Sequence, residues 1–231
     1  MSGLFITFEG TEGGGKSTQI ELLATRLRAT GRLVRTFREP GGTPIGEEIR
    51  HTLQHSHANR AMTPEAELLL MNASRAQLVR EVIRPALDRG EVVLCDRFYD
   101  STTAYQGHGR QLDLARVQAI IDFAVGDTRP HLTLLLDVPV DVSEARRLAR
   151  SGARVCDPQQ PSSTGTAKLA APDPLRDRME EADRAFFERV QQGFAAIAIA
   201  EPKRVCRIDA TQDIEAVSVC VWQAVQPLLH H

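Results

Sequence analysis

The chain has 231 residues, of which 42% are hydrophobic and 25% are charged, and it carries a net charge of −2. This balance is typical of one folded α/β domain, and the near-neutral charge argues against non-specific nucleic-acid binding as the main function. No apolar run reaches the roughly 20 residues of a membrane-spanning helix, and the spacing of the four cysteines is unlike that of zinc ligands. Because the first strand begins too near Met1 for a signal peptide, we expect a cytoplasmic protein with reduced thiols.

The first predicted elements enclose a phosphate-binding loop. Residues 4–8 form an apolar run of strand length, and Ile20, Leu23 and Leu27 recur at helical spacing. The residues between them fit the pattern G-x-x-x-x-G-K-[ST] and are Gly10, Thr11, Glu12, Gly13, Gly14, Gly15, Lys16 and Ser17, followed by Thr18. Glycines let backbone N–H groups approach phosphate oxygens, lysine can reach the β- and γ-phosphates, and a serine hydroxyl can bind Mg²⁺. We therefore predict that this segment binds a nucleoside triphosphate.

The next elements alternate between strands and helices. Residues 33–37 predict a second strand, which a turn-rich segment with the sequence REPGGT follows. A short helix at 45–53 precedes a long one at 64–88, which Pro85 should kink or end locally. Residues 92–95 form a continuous apolar run of the kind that is buried in parallel sheets, and Asp96 comes directly after it. Open α/β sheets bind ligands beyond the carboxyl ends of their strands, so the residues after each strand are candidate site residues.

The remaining chain continues the alternation. The predicted elements are helices at 112–125, 141–150, 177–200 and 214–225, and strands at 132–136 and 205–208. Residues 151–174 are rich in proline, serine and glycine, which indicates a surface excursion. The alternation predicts an α/β fold in a single domain that covers residues 1–231: a doubly wound, five-stranded parallel sheet flanked by helices.

Four motifs together indicate a family. They are FEGTEG at residues 8–13, REPGGT at 38–43, DRFYDSTTAYQG at 96–107 and IDAT at 208–211. Over nearly the whole chain this combination resembles the thymidylate kinases of bacterial type, which are P-loop nucleoside monophosphate kinases. The resemblance implies a P-loop NTPase fold with a lid, and transfer of the γ-phosphoryl group of ATP to dTMP, giving dTDP, with Mg²⁺. Its partners would be these small-molecule nucleotides, without nucleic acid or membrane.

The residues after the third strand suit phosphoryl transfer, which depends on positioning and on neutralising charge. Arg97 can clamp the acceptor phosphate with its planar guanidinium group, and Asp96 stands where phosphate-loop enzymes place a carboxylate that handles Mg²⁺ together with Ser17. The resemblance implies that Glu12 binds the 3′-hydroxyl group of the deoxyribose. It also implies that Tyr105 packs against the sugar, where a rigid ring leaves no space for a 2′-hydroxyl group.

The resemblance also implies a thymine pocket. Arg75 would hydrogen-bond the base, Pro40 would line the pocket, and Thr102 and Gln106 would contact the base or a phosphate. Met71 occupies the position, one helical turn before this arginine, where the family commonly has a phenylalanine that stacks on the base. Methionine covers a base less rigidly, which is compatible with dUMP as a slow alternative substrate.

A lid must exclude water from the transfer, since ATP would otherwise be hydrolysed. The phosphate loop contains no arginine, so the resemblance implies that the lid, residues 146–178, supplies the catalytic one. The candidates are Arg146, Arg147, Arg150, Arg154, Arg176 and Arg178, of which Arg178 is our first choice and Arg154 our second. Arg146 or Arg150 could instead stack on adenine. Residues 157–174 form an insertion relative to the family, which we expect the surface to tolerate.

Two other functions remain open at this point. One is another deoxynucleotide or deoxynucleoside kinase, although the DRF triplet at 96–98 argues against the latter, which tends to carry a glutamate there. The other is a non-catalytic ATP-binding switch, against which the retained Lys16, Ser17 and Tyr105 argue. The resemblance also implies a homodimer, to which the apolar residues 68–71 could contribute, although burial in the core explains them equally well.

Overall fold

Five parallel strands form the central sheet in the order β2-β3-β1-β4-β5. The structure, a computed structural model, describes residues 3–56, 59, 61–155 and 183–230, without the side chains of residues 150–155 and 230. The strands are β1 (Leu4–Glu9), β2 (Val34–Arg38), β3 (Val92–Asp96), β4 (Leu132–Asp137) and β5 (Val205–Asp209). The three inner strands are almost wholly buried, as expected for apolar runs in a parallel sheet that is covered on both faces. The predicted doubly wound, five-stranded sheet is confirmed.

Helices cover both faces of the sheet. They are α1 (Lys16–Ala29), α2 (Pro44–Gln54), α3 (Pro64–Leu78), α4 (Arg84–Asp88), α5 (Tyr99–Thr102), α6 (Leu114–Val125), α7 (Val140–Val155), α8 (Arg184–Ala200) and α9 (Ile214–Val225). Several begin with a side-chain oxygen that accepts a backbone N–H group of the first turn, which stabilises a helix start by about 1 kcal/mol. These capping residues are Thr43, Thr63, Asp113, Asp183 and Asp213. Within the described ranges, no helix is long and apolar enough to cross a membrane.

The alternating side chains of β1 build two cores. Ile6 and Phe8 point to the face covered by α1 and α9, and Phe5 points to the face covered by α3 and α6. Each of these side chains is fully buried, which contributes about 1.5–3 kcal/mol per residue. A third cluster lies at the carboxyl edge of the sheet, where Tyr105 packs edge-on against Phe186 and Phe194 of α8. The carboxyl edge of the sheet, where the predicted site residues lie, is therefore supported by the buried strand β1 and by the packing of α8.

The long helix predicted at 64–88 contains a local change of geometry. A π-helical turn at Val79–Ile83 separates α3 from α4 and ends two residues before Pro85. A proline cannot donate the backbone hydrogen bond of a regular helix, so a wider turn next to it is the expected response. The kink predicted at Pro85 is therefore a π-helical turn within one continuous helical segment.

Other boundaries differ from the prediction. The second strand runs one residue later than predicted, because Val34 pairs with Val92 and Arg38 pairs with Asp96, while Leu33 is 72% exposed. The sixth helix begins at Leu114, after its cap Asp113. The sequence analysis predicted no helix after β3, yet α5 continues into a π-helical segment at Thr103–Gly109. Its glycines and polar residues gave no periodic signal, and contacts with α8 stabilise it instead.

The predicted lid is described only at its two ends. α7 extends beyond the predicted residue 150 to Val155, and α8 begins at Arg184 after its cap Asp183. The inserted residues 157–174, the start of the helix predicted at 177 and Arg178 lie outside the described residues.

Candidate active site

The phosphate loop connects β1 to α1 in a conformation that depends on glycine. Gly10, Gly13 and Gly15 have φ angles of 124°, 80° and 84°, which residues with a side chain rarely adopt. A Cβ atom on Gly10 would also lie 2.3 Å from the carbonyl oxygen of Leu136 in β4. The loop can therefore pass over the neighbouring strand only with glycine at this position, and its backbone is held close against the sheet.

Lys16 lies folded over the loop. Its Nζ atom donates hydrogen bonds to the carbonyl oxygens of Gly10 (3.2 Å) and Thr11 (3.0 Å), and the side chain is buried. Burial, helped by the positive charge of Arg97, lowers the pKa of Lys16 to about 8. Among the described residues the ammonium group thus has only neutral hydrogen-bond partners, and phosphate oxygens would be stronger partners for it.

Ser17, in the first turn of α1, and Asp96, at the carboxyl end of β3, lie beside each other. The strands place them there, because Phe8 and Asp96 are register partners in the sheet. The Ser17 hydroxyl group donates to Asp96 Oδ2 at 3.0 Å. A hydroxyl and a carboxylate oxygen are ligands that Mg²⁺ accepts in combination with phosphate oxygens and water, so the predicted metal pair fits the ion chemically.

Arg97 projects into the space between the phosphate loop and α5. Its φ angle of 68° is unusual for a residue other than glycine. The Nη1 atom donates to Gly10 O (3.0 Å) and to Ser101 Oγ (3.1 Å), and Nη2 donates to the Tyr105 hydroxyl group (3.3 Å). Glu12 approaches the same guanidinium group at 3.9 Å, and its Oε2 atom is buried without a hydrogen-bond partner among the described residues. The guanidinium group of Arg97 is therefore held mainly by neutral oxygen atoms.

Glu9 is a structural residue of the site to which the sequence analysis assigned no role. It is fully buried at the end of β1, where Oε1 accepts the N–H groups of Phe98 (2.7 Å) and Ser101 (3.3 Å), and Oε2 accepts the Ser101 hydroxyl group (2.5 Å). Burial, with the nearby charge of Asp100, raises the pKa of Glu9 to about 8. A glutamate at the end of a buried strand, directly before the loop, was the available sequence signal.

Arg75 lies in a buried ion pair. The side chain is 2% exposed, and its Nε and Nη2 atoms lie 2.8 Å and 2.7 Å from Glu39 Oε2. The Nη1 atom donates to Asn72 Oδ1 and to Thr102 Oγ1, both at 2.9 Å. Burial raises the pKa of Glu39, although the adjacent guanidinium group opposes this. The predicted base-binding arginine is therefore fixed by protein partners from several sides.

A third buried carboxylate, Glu67, binds side chains from the helical segment after β3. The Gln106 Nε2 atom donates to Glu67 Oε1 at 2.8 Å, and the guanidinium group of Arg110 lies 3.1 Å from Oε2. Met71 is half-buried beside the third core cluster. Tyr105 is buried, which raises the pKa of its hydroxyl group to about 12, so this group stays protonated at neutral pH.

One cleft of about 390 Å³ joins these parts. Most predicted site residues line it: Glu12, Gly13, Gly15, Lys16, Ser17, Thr18, Pro40, Met71, Arg75, Asp96, Arg97, Thr102, Tyr105 and Gln106. The cleft is also lined by residues for which the sequence analysis predicted no role, namely Arg38, Glu39, Arg50, Gln54 and Ser101. Gly10, Thr11 and Gly14 support the loop and are not part of the lining.

Among the predicted lid arginines, Arg146 and Arg147 are the two whose side chains the structure describes, and neither lines this cleft, while Arg176 and Arg178 lie outside the described residues. Arg146 on α7 donates to the carbonyl oxygens of Gly13 (3.2 Å) and Ala210 (2.9 Å), behind the phosphate loop. Arg147 stacks on Phe187 of α8 at 4.6 Å from the ring centre. Arg150 and Arg154 are placed only as backbone positions on α7.

Comparisons with known proteins agree with this geometry. The family model described as "Thymidylate kinase" matches residues 8–220. The chain is 49% identical to a thymidylate kinase of Pseudomonas fluorescens over 99% of this chain and 98% of that protein, and 46% identical to one of Alcanivorax borkumensis with the same coverage. The crystal structure of thymidylate kinase from Ehrlichia chaffeensis superposes with a TM-score of 0.71 at 31% identity, covering 98% of this chain and 99% of that one. The phosphate loop and these similarities agree, and the chain belongs to the thymidylate kinase family of nucleoside monophosphate kinases.

Proposed function

We propose that the cleft phosphorylates dTMP, through attack of a dTMP phosphate oxygen on the γ-phosphorus of ATP, with ADP as the leaving group and dTDP as the product. The observation that carries this proposal is the continuous cleft, which has Lys16 and Ser17 at one end and Met71 and Arg75 at the other. Two nucleotides can enter it from opposite ends with their phosphates meeting near Arg97. Such positioning, together with charge neutralisation, accounts for most of phosphoryl-transfer catalysis.

At the donor end, the backbone N–H groups of residues 10–15 receive the phosphates of ATP, and Lys16 exchanges its two carbonyl partners for phosphate oxygens. Ser17 and Asp96 would hold Mg²⁺, which neutralises charge on the β- and γ-phosphates when it is bound. Arg146 lies behind the loop, next to the turn after β5, where it can stack on adenine.

At the acceptor end, Arg97 binds the phosphate of dTMP. It exchanges its contact with Gly10 O for a phosphate oxygen and keeps the one with Ser101 Oγ, while its Nη2 atom can bind a second phosphate oxygen, because guanidinium groups bind oxyanions as a matched pair. Arg50, which lines the cleft and donates to Pro40 O, adds a second positive charge. Glu12 accepts the 3′-hydroxyl group through its unpaired Oε2 atom, and Tyr105 closes the space beside the 2′ carbon.

The base lies against Pro40 and Met71, and Arg75 with Thr102 forms its polar edge. Because Thr102 Oγ1 accepts a hydrogen bond from Arg75, its own hydrogen is free to donate to a carbonyl oxygen of the base. Gln106 is already bonded to Glu67, so its main contribution is to hold the wall of the pocket.

The chain is a single domain whose lid closes over the cleft during transfer. Arg178 is the first candidate for the catalytic arginine, and Arg154 is the second. Removing the transition-state cation should lower kcat by about 10²–10³-fold. Comparison of Arg178→Ala with Arg154→Ala in the same assay identifies the residue, because only the catalytic arginine should produce this loss.

The enzyme acts as a homodimer in the cytoplasm, where ATP and dTMP are available. α3 and α6 pack on each other and carry exposed apolar side chains, among them Phe123 (84% exposed) and Leu69. Leu68, in contrast, is buried in the core, so only part of the predicted segment 68–71 could join such an interface. Light scattering of the purified chain tests the dimer by its mass.

The decisive experiment measures ADP release with ATP and Mg²⁺ against dTMP, dUMP, dGMP, dCMP, AMP and thymidine, with Lys16→Met as the inactive control. A strong preference for dTMP is the expected result. Turnover of thymidine alone would make the protein a deoxynucleoside kinase. Tight ATP binding without phosphorylation of any acceptor would indicate a non-catalytic switch, and either result would contradict the proposal.

A further inference from the structure

A buried carboxylate lies directly behind the acceptor clamp and takes no part in the chemistry proposed above. Glu9 ends β1, and Gly10 of the phosphate loop follows it. Its two carboxylate oxygens accept three hydrogen bonds, all from the turn after Arg97: two from the backbone N–H groups of Phe98 and Ser101 and one from the Ser101 hydroxyl group. Because all three of these hydrogen bonds go to one turn, Glu9 acts on the geometry of that turn.

We propose that Glu9 is a positioning residue that holds Arg97 in place for the acceptor phosphate, acting through Ser101. The inference rests on the proposed function, because it concerns how the chain binds the phosphate of dTMP.

The first argument is the direction of the hydrogen bonds. When Glu9 is ionised, the Ser101 hydroxyl group donates its one hydrogen to Glu9 Oε2 at 2.5 Å. Its lone pairs therefore face Arg97, whose Nη1 atom donates to them at 3.1 Å. The carboxylate thus fixes the serine as an acceptor, and the serine in turn orients the guanidinium group towards the cleft.

The second argument is the backbone of the clamp. Arg97 has a φ angle of 68°, a conformation that costs a non-glycine residue about 1–2 kcal/mol and persists only where neighbouring contacts impose it. The Phe98 N–H group, which directly follows this residue, donates to Glu9 at 2.7 Å, while the Arg97 N–H group donates to Phe8 O at 2.9 Å. The end of β1 therefore binds both sides of the strained residue.

The third argument is that the neighbouring acid has other partners. Asp100 accepts hydrogen bonds from Arg204 at 2.7 Å and 2.9 Å and from Thr133 at 3.1 Å. It anchors the far side of the same turn to β4 and to the residues before β5, and it leaves the contacts with the Phe98 and Ser101 N–H groups to Glu9. The two acids therefore have separate tasks, and only Glu9 is linked to Arg97.

The test compares Ser101→Ala and Glu9→Gln with wild type at pH 9, above the pKa of Glu9, where this side chain is a carboxylate. Isothermal calorimetry gives the Kd for dTMP without ATP, and steady-state kinetics give KM for dTMP and for ATP separately. Thr103→Ala is the matched control, because it removes a hydroxyl group that donates only to a backbone carbonyl on the same helical segment. We expect both test variants to weaken dTMP binding about 10-fold while KM for ATP changes less than about twofold.

Because the three residues form one chain of contacts, the double variant should bind dTMP no more weakly than the worse single variant. Equal losses for dTMP and ATP, or a loss of the same size in Thr103→Ala, would show a general structural role and overturn the inference. If wild type binds dTMP and neither test variant differs from it, this inference fails alone. A wild-type chain that binds no dTMP overturns the proposed function and this inference with it.

Discussion

The two ends of the cleft are built by different means. The donor end depends on backbone conformation: glycines at positive φ angles, strand ends in register, and a lysine with only carbonyl partners. The acceptor end depends on side chains that pair inside the protein, with Glu9, Glu39 and Glu67 each buried and each bonded to residues far away in the chain. One end is specified locally and the other by long-range contacts.

This difference determines how each end should respond to change. At the donor end, a substitution fails because the chain has no room for a side chain or cannot adopt the required dihedral angles. At the acceptor end, a substitution leaves a buried charge or polar group without its partner, which is costly in a poorly hydrated interior.

The largest effect is expected from Arg75→Ala. The change leaves Glu39 buried without its cation, so the free energy of unfolding should fall by about 3–5 kcal/mol in urea denaturation. Arg38→Ala is the matched control, since its ion pair with Glu47 is half exposed and should contribute less than about 1 kcal/mol. Similar losses in both variants would contradict the view that buried pairs hold the acceptor end.

Gly10→Ala tests the donor end by the same measurement. The new Cβ atom would lie 2.3 Å from Leu136 O at a φ angle of 124°, so we expect a loss of about 3 kcal/mol from strain and overlap together. Gly31→Ala separates the two causes, because Gly31 has a φ angle of 83° with open space around it and should lose only about 1 kcal/mol. If the two losses were equal, the close approach to β4 would be unimportant.

A pH dependence follows from Glu9. Its pKa is raised from 4.5 to about 8 by burial and by Asp100, so between these values the folded state keeps a proton that the unfolded state has lost. Stability from this group is therefore complete below about pH 4.5 and declines as the pH rises to 8. In Glu9→Gln the decline between pH 5 and pH 8 should be smaller by about 3 kcal/mol, because the amide does not titrate and one pKa unit corresponds to about 1.4 kcal/mol. Unfolding free energies at pH 5, 6.5 and 8 give the difference, and parallel curves for the two proteins would contradict it.

The sequence predicted the donor end almost completely because its information is local. Strand, glycine loop, Lys16, Ser17 and the following helix are contiguous, and Asp96 directly follows a buried strand. At the acceptor end, the motifs identified most of the residues that line the cleft, but they did not identify the buried partners that fix the side chains of those residues. Partners of Arg75 such as Glu39 and Thr102 stand 36 and 27 positions away, and no period or spacing in the sequence connects them. The helix after β3 was missed for the same reason, since packing against α8 rather than intrinsic propensity stabilises it.

The smallest effect is expected from Met71→Phe at the acceptor end, and it concerns selectivity. Met71 lines the cleft beside the Tyr105 cluster and is only half-buried, so there is space for a ring that faces the base. A rigid aromatic face should hold the base more firmly, a gain of about 0.5–1.5 kcal/mol, and should fix the position of its 5-methyl group. We therefore expect kcat/KM for dTMP relative to dUMP to rise by about 3- to 10-fold, as measured in one assay with both acceptors. Met71→Leu, which keeps the volume without the ring, should leave the ratio near the wild-type value. If leucine raises the ratio as much as phenylalanine does, the prediction is wrong. The flexibility of the methionine side chain, and not the missing aromatic ring, would then control the selectivity for dTMP over dUMP at this end of the cleft.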